Sequence, residues 1–194
     1  MSHQDIVLLG LLGTTLDRGL EMSRWERWRP TVALFQHEHL LIKRFELLYQ
    51  RRFEKIAERV LEDIANISPE TELRSHIVEF DDPWDFEPVY ESLHDFAKGY
   101  PFDPEREDYL IHISTGTHVA QICMFLLTEA RYFPAQLVQT SPPNRNSLSG
   151  FRVIDLDLSK YDRIATRFQE EQDEALDFLK AGIVLAVLDH IRLQ

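Results

Sequence analysis

Tyr109-Leu110-Ile111-His112-Ile113, running directly into Ser114-Thr115-Gly116-Thr117-His118, is the stretch that decides the fold. The apolar run is too short for a buried helix and reads as a strand. Four polar residues and a glycine follow it. Then Val119, Ile122, Cys123, Leu126, Ala130 and Phe133 recur at helical spacing, as the buried face of a helix. Strand, polar switch and helix make up half of a βαβ unit.

The same alternation continues on both sides. Upstream, the continuous apolar run Asp5 to Leu12 is a buried first strand. A polar, glycine-containing stretch, Gly13 to Arg29, separates it from a short helix that Pro30 opens and that runs to His37. Arg44 to Tyr49 reads as the second strand, although Leu47-Leu48 suits the start of a helix equally. Phe53, Ile56, Ala57, Val60, Leu61 and Ile64 share one helical face, and Ser68-Pro69 ends that helix. Glu72 to Phe80 is the third strand. Asp81 to Pro83 punctuates, and Phe86, Val89, Tyr90, Leu93 and Phe96 mark the next helix. Downstream come a strand at Ala135 to Gln139, a loop at Ser141 to Gly150 and a strand at Arg152 to Leu158. A long amphipathic helix begins near Ser159, with Tyr161, Ile164, Ala165, Phe168, Ala175, Leu176 and Leu179 on one side. The pattern implies an α/β, Rossmann-like, doubly wound and mainly parallel sheet of about six strands with helices on both faces. In such sheets ligands bind beyond the carboxyl ends of the strands, where strand order reverses.

Bulk composition narrows the function. The chain has 194 residues, 44% of them hydrophobic, which is enough for one α/β domain with a real core. Its formal net charge of -12 argues against coating a duplex through phosphate contacts alone. A pocket for a short oligonucleotide needs only a few placed cations and remains open. One cysteine, Cys123, leaves no internal disulfide framework, and Met1 to Gly10 does not read as a signal peptide, so the cytoplasm is expected. The longest late apolar run, Gly182 to Leu188, stops at Asp189-His190, so no membrane span is expected.

Three segments can carry ligand chemistry. Gly13-Thr14-Thr15, at the exit of the first strand, offers backbone N–H groups and hydroxyls to a phosphate, but an ordinary turn would look the same. It is neither a dinucleotide fingerprint nor a phosphate loop, because the spaced glycines and the Gly-Lys-Ser/Thr are missing. Ser114-Thr115-Gly116-Thr117-His118 sits at a strand end and a helix start, where free N–H groups and the helix dipole favour an anion. Plain N-capping needs only one of its threonines. The third segment holds Arg24, Trp25, Trp28 and Arg29, whose guanidinium groups can contact phosphates and whose indoles can stack on bases. Its bland alternative is a loop covering the sheet edge. Arg51 and Arg52, after the second strand, can add phosphate contacts or simply start a solvated helix.

No metal, cofactor or catalytic set is expected. His37 and His39 in Gln36-His37-Glu38-His39 are two residues apart and do not share a helix face. Asp81-Asp82 reads as helix capping, and Asp155 with Asp157 as a strand-end turn. Cys123 faces the core of its helix and makes a poor nucleophile.

Longer strings carry a resemblance. They are Arg24-Trp25, Trp28-Arg29-Pro30-Thr31, Gln36-His37-Glu38, Pro83-Trp84-Asp85-Phe86, Leu93-His94-Asp95-Phe96-Ala97, the run Glu107 to Cys123, and Ser141-Pro142-Pro143. Together they resemble the N-terminal sensor of the RtcR family, sigma-54-dependent activators of an RNA-repair operon, within the CARF group (CRISPR-associated Rossmann fold). The resemblance spans roughly Val7 to Gly182. It implies a sensing domain over 1–182, and a tail over 183–194 where the family would lead into an AAA+ ATPase and a helix-turn-helix domain. The chain is thus expected to act as a sensor that does not drive transcription alone. The resemblance further implies a homodimer or higher homo-oligomer. It implies a ligand derived from RNA: an RNA end with a 2′,3′-cyclic phosphate, an RNA fragment or a cyclic oligoadenylate. In the CARF group the ligand lies over the loops after the first and fourth strands, here Gly13 to Thr15 and Ser114 to His118. The alternative function is a ring nuclease that cleaves a bound oligoadenylate through an RNA 2′-hydroxyl, with His118 or Thr117 required for turnover. A third is a dimerisation module with a vestigial pocket.

Overall fold

The structure, a computed structural model, describes residues 4–19, 21–143 and 150–154, all within the compact unit Met1–Asp155. The long helix expected from Ser159, the tail over 183–194 and the Asp155/Asp157 pair lie outside the described residues.

Among the described residues six strands form one sheet: β1 (Asp5–Leu11), β2 (Ile42–Tyr49), β3 (Glu72–Ile77), β4 (Glu107–His112), β5 (Ala135–Ser141) and β6 (Gly150–Ile154). Their order is β3-β2-β1-β4-β5-β6, with parallel pairing from β3 through β5 and an antiparallel β6 at the edge. Four helices connect them: α1 (Pro30–Leu34), α2 (Glu54–Ile67), α3 (Phe86–Gly99) and α4 (His118–Glu129). Short 3-10 turns occupy Met22–Glu26 and Arg51–Phe53. This is the α/β, doubly wound architecture that the alternating pattern implies. Strand order reverses between β1 and β4, so the ligand-binding crevice of such a sheet opens where those two strands end. Among the described residues no helix is long and apolar enough to cross a membrane.

The core forms around β1, whose Val7, Leu8 and Leu9 are wholly buried between β2 and β4. Strand β2 begins at Ile42, two residues before the expected Arg44, and β4 at Glu107, two before the expected Tyr109. Charged residues enter the sheet there because they are paired: Arg44 Nη2 donates to Glu107 Oε2 at 2.7 Å, across β1. Glu46, also wholly buried, accepts from Arg44, His76 and Tyr100. Burial alone would push its carboxyl up, but these hydrogen bonds outweigh burial and hold it at about 2.

The buried face of α4 differs from the expected one. Ala120, Cys123, Met124, Leu127 and Thr128 point inward, while Ile122 is 51% exposed. The segment from Val119 to Leu127 is apolar nearly all round, so periodicity cannot choose a face. The helix ends at Glu129, which leaves Ala130 and Phe133 beyond it, with Arg131 in the left-handed region at φ 62°. Cys123 is buried as expected, and burial pushes its thiol up to about 11, which disqualifies it as a nucleophile at neutral pH.

His112 is buried in β4 opposite Gly10, whose missing side chain leaves room for the ring: a Cβ at Gly10 would stand 3.3 Å from the His112 Cβ. Nε2 lies 3.2 Å from Thr140 Oγ1, and Nδ1 has no hydrogen-bond partner among the described residues. Burial pushes the imidazole down to about 3, so it stays neutral in the native state. The unfolded chain takes up a proton below about pH 6.5 while the folded chain does not. The stability from the neutral ring is therefore complete above about pH 6.5 and is lost progressively as pH falls toward 3. Between pH 7 and 5 this loss amounts to about 2 kcal/mol. Denaturant melts should show the decline, and His112→Gln should remove most of it. An unchanged pH profile in that variant would refute the assignment.

Candidate functional site

A cavity of about 540 Å3 opens at the carboxyl ends of β1 and β4, where the strand order reverses. Its floor is the β1 exit, Gly13-Thr14-Thr15, and the β4 exit, Ser114-Thr115-Gly116-Thr117-His118. The sequence had singled out both loops, and the fold brings them into direct contact.

That contact is built residue by residue. Thr115 Oγ1 donates to the Leu11 carbonyl at 2.6 Å and ties the β4 exit to the end of β1. Gly13 sits where the loops meet: a Cβ there would lie 2.4 Å from Asp17 Oδ2 and 2.9 Å from Thr115 Cγ2. Asp17 is wholly buried and accepts from Gly13 N, Thr31 N and Thr31 Oγ1. Burial raises its carboxyl, against the lowering by these bonds and by the charge of Arg29. Gly116 turns at φ 92°, a conformation that favours glycine. The β4 exit is anchored on its other side by Ser114 Oγ, which accepts from Thr140 N at 2.7 Å.

These bonds revise the roles expected of the hydroxyls. Thr117 caps α4 by accepting from Ala120 N and donates its own proton to the Pro83 carbonyl, and Thr115 and Ser114 are spent on the framework. The first-turn N–H groups of His118 and Val119, by contrast, have no intrahelical acceptor. Thr14, Thr15 and His118 also line the cavity, and Thr15 and His118 are exposed.

The third segment is elsewhere. Arg24 Nε and Nη2 donate to Asp63 at 2.8 Å each, and Arg29 Nη1 donates to Asp63 at 2.6 Å. With Trp25 and Trp28 these arginines border a second, smaller cavity and do not line the large one. Asp63 comes from the buried face of α2, so the two guanidinium groups fasten the loop to that helix. Arg51 is exposed on the 3-10 turn, its N–H donating to Glu79 Oε1, and is absent from the cavity wall.

Arg52 takes that place. Its guanidinium donates to Gln50 Oε1 at 2.7 Å and lies 4.9 Å from the Phe53 ring centroid, which holds it at the rim. Trp84, 64% exposed in the connection before α3, is the most exposed of the aromatic residues lining the site, which also include Tyr49, Phe53 and Phe80. It stands next to Asp82, which accepts from the Trp84 N–H in a local turn; the cap of α3 is Asp85, which accepts from the Glu87 N–H, and not the Asp81-Asp82 pair. The available signal for Trp84 was a tryptophan in a polar loop.

The charge pattern is one-sided. The chain carries 33 Asp and Glu residues, yet none is among the described residues lining this cavity, whereas Arg52 and His118 are. Its volume lies within the roughly 300–1,000 Å3 typical of small-molecule sites. Among the described residues no cluster of His, Cys, Asp and Glu is arranged to hold a metal ion, and the His37 ring packs edge-on against Phe151 at 5.0 Å. The geometry suits an anion with an aromatic portion: amides and Arg52 for the charge, Trp84 for the ring.

Comparison with known proteins agrees with this architecture. Over 182 residues the chain is 56% identical to the transcriptional regulatory protein RtcR of Escherichia coli strain K12, covering 91% of this chain and 34% of that protein. It therefore spans about a third of the length of that curated relative. Among solved structures, Enterococcus italicus Csm6 bound to cyclic hexa-2′-fluoro-hexa-dAMP aligns with a TM-score of 0.54 at 13% identity, covering 88% of this chain and 41% of Csm6. Can2 from Sulfobacillus thermosulfidooxidans in complex with cyclic tetra-adenylate aligns at a TM-score of 0.47 and 14% identity, covering 70% of this chain and 32% of Can2. The fold is the CARF-type Rossmann fold shared with Csm6. The family model described as Regulator of RNA terminal phosphate cyclase matches residues 4–182, and the chain belongs to this family, RtcR.

Proposed function

We propose that the cavity at the β1/β4 switch point binds an RNA-derived nucleotide or short oligonucleotide and that its occupancy controls an attached AAA+ ATPase. The carboxylate-free wall of this cavity, in a strongly acidic chain, carries the reading. A phosphate placed there meets amides and Arg52 without repulsion, and a base can stack on Trp84. Membership of a family of regulators and the name of the E. coli relative support a regulatory role for the bound ligand. The structure of Csm6 with a cyclic oligonucleotide supports the ligand class. Control requires that the ligand bind one state of the protein better than another, and a homodimer supplies two such states.

The test is thermal melting with a panel: RNA ending in 3′-hydroxyl, 3′-phosphate or 2′,3′-cyclic phosphate, cyclic oligoadenylates, and matched DNA. At about one hundred times its dissociation constant a ligand adds about 2.7 kcal/mol, which raises the midpoint by roughly 5 °C or more. Thr15→Glu should abolish binding with an unchanged apo midpoint, since Thr15 is exposed and the new carboxylate repels phosphate. Arg52→Ala should weaken binding about tenfold or more, the worth of one charge-assisted hydrogen bond. Unchanged affinity in both variants would remove this cavity from consideration. His118, exposed at the cavity, is the group a ring nuclease would use, so steady loss of ligand during incubation would replace the sensor reading with that one.

A further inference from the structure

A second cavity, of about 200 Å3, lies beside the Met22–Glu26 turn, away from the switch point. Two donors on its wall stand out. The Trp28 indole N–H and Arg29 Nη2 are both buried and have no hydrogen-bond partner among the described residues. Arg29 is only 3% exposed, and its other two nitrogens are engaged: Nε donates to the Asp17 carbonyl and Nη1 to Asp63. Indole and guanidinium are donor-only groups, so what satisfies them must be an acceptor. Buried donors in native proteins nearly always find one.

Charge and size narrow that acceptor. Arg24, Arg27 and Arg29 line the cavity against Glu26, and Asp63 is shared between Arg24 and Arg29. The lining itself thus presents three cations and one carboxylate, while Glu21 and Glu62 act on Arg24, and Asp17 on Arg29, from outside the wall. A cavity of about 200 Å3 falls below the roughly 300 Å3 at which sites for nucleotide-sized ligands begin. Trp25 also makes a poor platform for a base, since the Arg24 guanidinium carbon lies 5.3 Å from its ring centroid. A tetrahedral oxyanion meets all three conditions.

We propose that this cavity binds a phosphate-type oxyanion, held by the Trp28 indole N–H and Arg29 Nη2, with Arg27 supplying charge at the rim. The site is separate from the switch-point cavity and does not depend on what occupies that one. Arg29 also touches the framework of the β1 exit, because the residue whose carbonyl it holds, Asp17, is the one whose carboxylate accepts from Gly13 N.

The experiment follows the indole N–H signals of the whole chain by 1H–15N correlation. The three tryptophan signals are assigned with Trp25→Phe, Trp28→Phe and Trp84→Phe, and the protein is titrated with inorganic phosphate against chloride at constant ionic strength. The Trp28 signal should move saturably with phosphate and not with chloride. Arg27→Glu should weaken that response at least tenfold while leaving the apo melting midpoint in place, since Arg27 is exposed. Adenosine 3′-monophosphate distinguishes the source of the anion: tighter binding than inorganic phosphate points to the phosphate of an RNA end, weaker binding to a free ion, and either supports the site. A Trp28 signal that stays fixed through tens of millimolar phosphate, that moves equally with chloride, or that responds alike in Arg27→Glu overturns the proposal.

Discussion

Asp63→Ala should lower stability by about 3 kcal/mol, which for a chain of 194 residues shifts the melting midpoint on the order of 10 °C. Asp63 stands on the otherwise apolar face of α2 with a 1% exposed side chain, and it accepts from Arg24 Nε and Nη2 and from Arg29 Nη1. Removing it takes from Arg29, itself buried, the carboxylate it is ion-paired with, while Asp17 acts on it through charge alone. Breaking such a pair costs far more than the pair contributes over an apolar replacement, because the stranded ion keeps its full desolvation penalty. The pH dependence adds a second check. Burial alone would raise the Asp63 carboxyl, but hydrogen bonds and charge from Arg24 and Arg29 outweigh it and hold it below the usual aspartate range. Its stabilising contribution is therefore complete above the unfolded value near 4 and is lost as pH falls through the lower folded value. The gap between the variant and the parent should narrow below pH 4. A variant that melts within 2 °C of the parent at pH 7 would show that the loop is held by something else.

Gly13→Val should both destabilise the fold and abolish ligand binding. Its Cβ would enter within 2.4 Å of the Asp17 carboxylate and 2.9 Å of the Thr115 methyl, closer than side chains approach one another. Neither neighbour can swing into solvent. Asp17 is wholly buried and fixed by Thr31, while Thr115 is 3% exposed and bonded to the Leu11 carbonyl. Overpacking of this kind costs about 1–3 kcal/mol, and a strained Asp17 hydrogen bond adds about 1 kcal/mol more. The loops at the β1 and β4 exits part as a result, and the amides that would face a phosphate no longer converge. Gly13→Ala meets the same carboxylate with two methyl groups fewer and should be milder. Circular dichroism melts measure the stability, and ligand titration below the melting midpoint of the variant measures the binding. Retained affinity in Gly13→Val would mean that the spacing of the two loops does not matter for the ligand.

The switch-point cavity was legible because two local signals coincided with a topological rule. Gly13-Thr14-Thr15 and Ser114 to His118 each follow an apolar run, and doubly wound sheets place such exits together. Two further lining residues come from neither exit. Arg52 belongs to the 3-10 turn after β2 and Trp84 to the β3–α3 connection, and the order β3-β2-β1-β4 brings them beside the β1 exit. The choice between Arg51 and Arg52 depended on the phase of a 3-10 turn, which neighbouring arginines do not encode.

The arginine–tryptophan segment shows the opposite case. Its composition fits nucleic-acid contact, yet Arg24 and Arg29 are engaged by Asp63, which lies more than thirty positions away in sequence. A sequence displays a charge without its partner, and pairing over such a separation is a property of packing. The same holds for the face of α4: an apolar helix with no polar stripe is oriented by what covers it, not by its own period. The sequence by itself determined the strands, the helices and their alternation, because periods of two and 3.6 residues and turn chemistry are local. Only the tertiary structure decided which hydroxyls were spent on the framework, which arginine lined the switch-point cavity and where a lining free of carboxylates lay among the described residues. Each of these depends on groups distant in the chain meeting at a few ångströms.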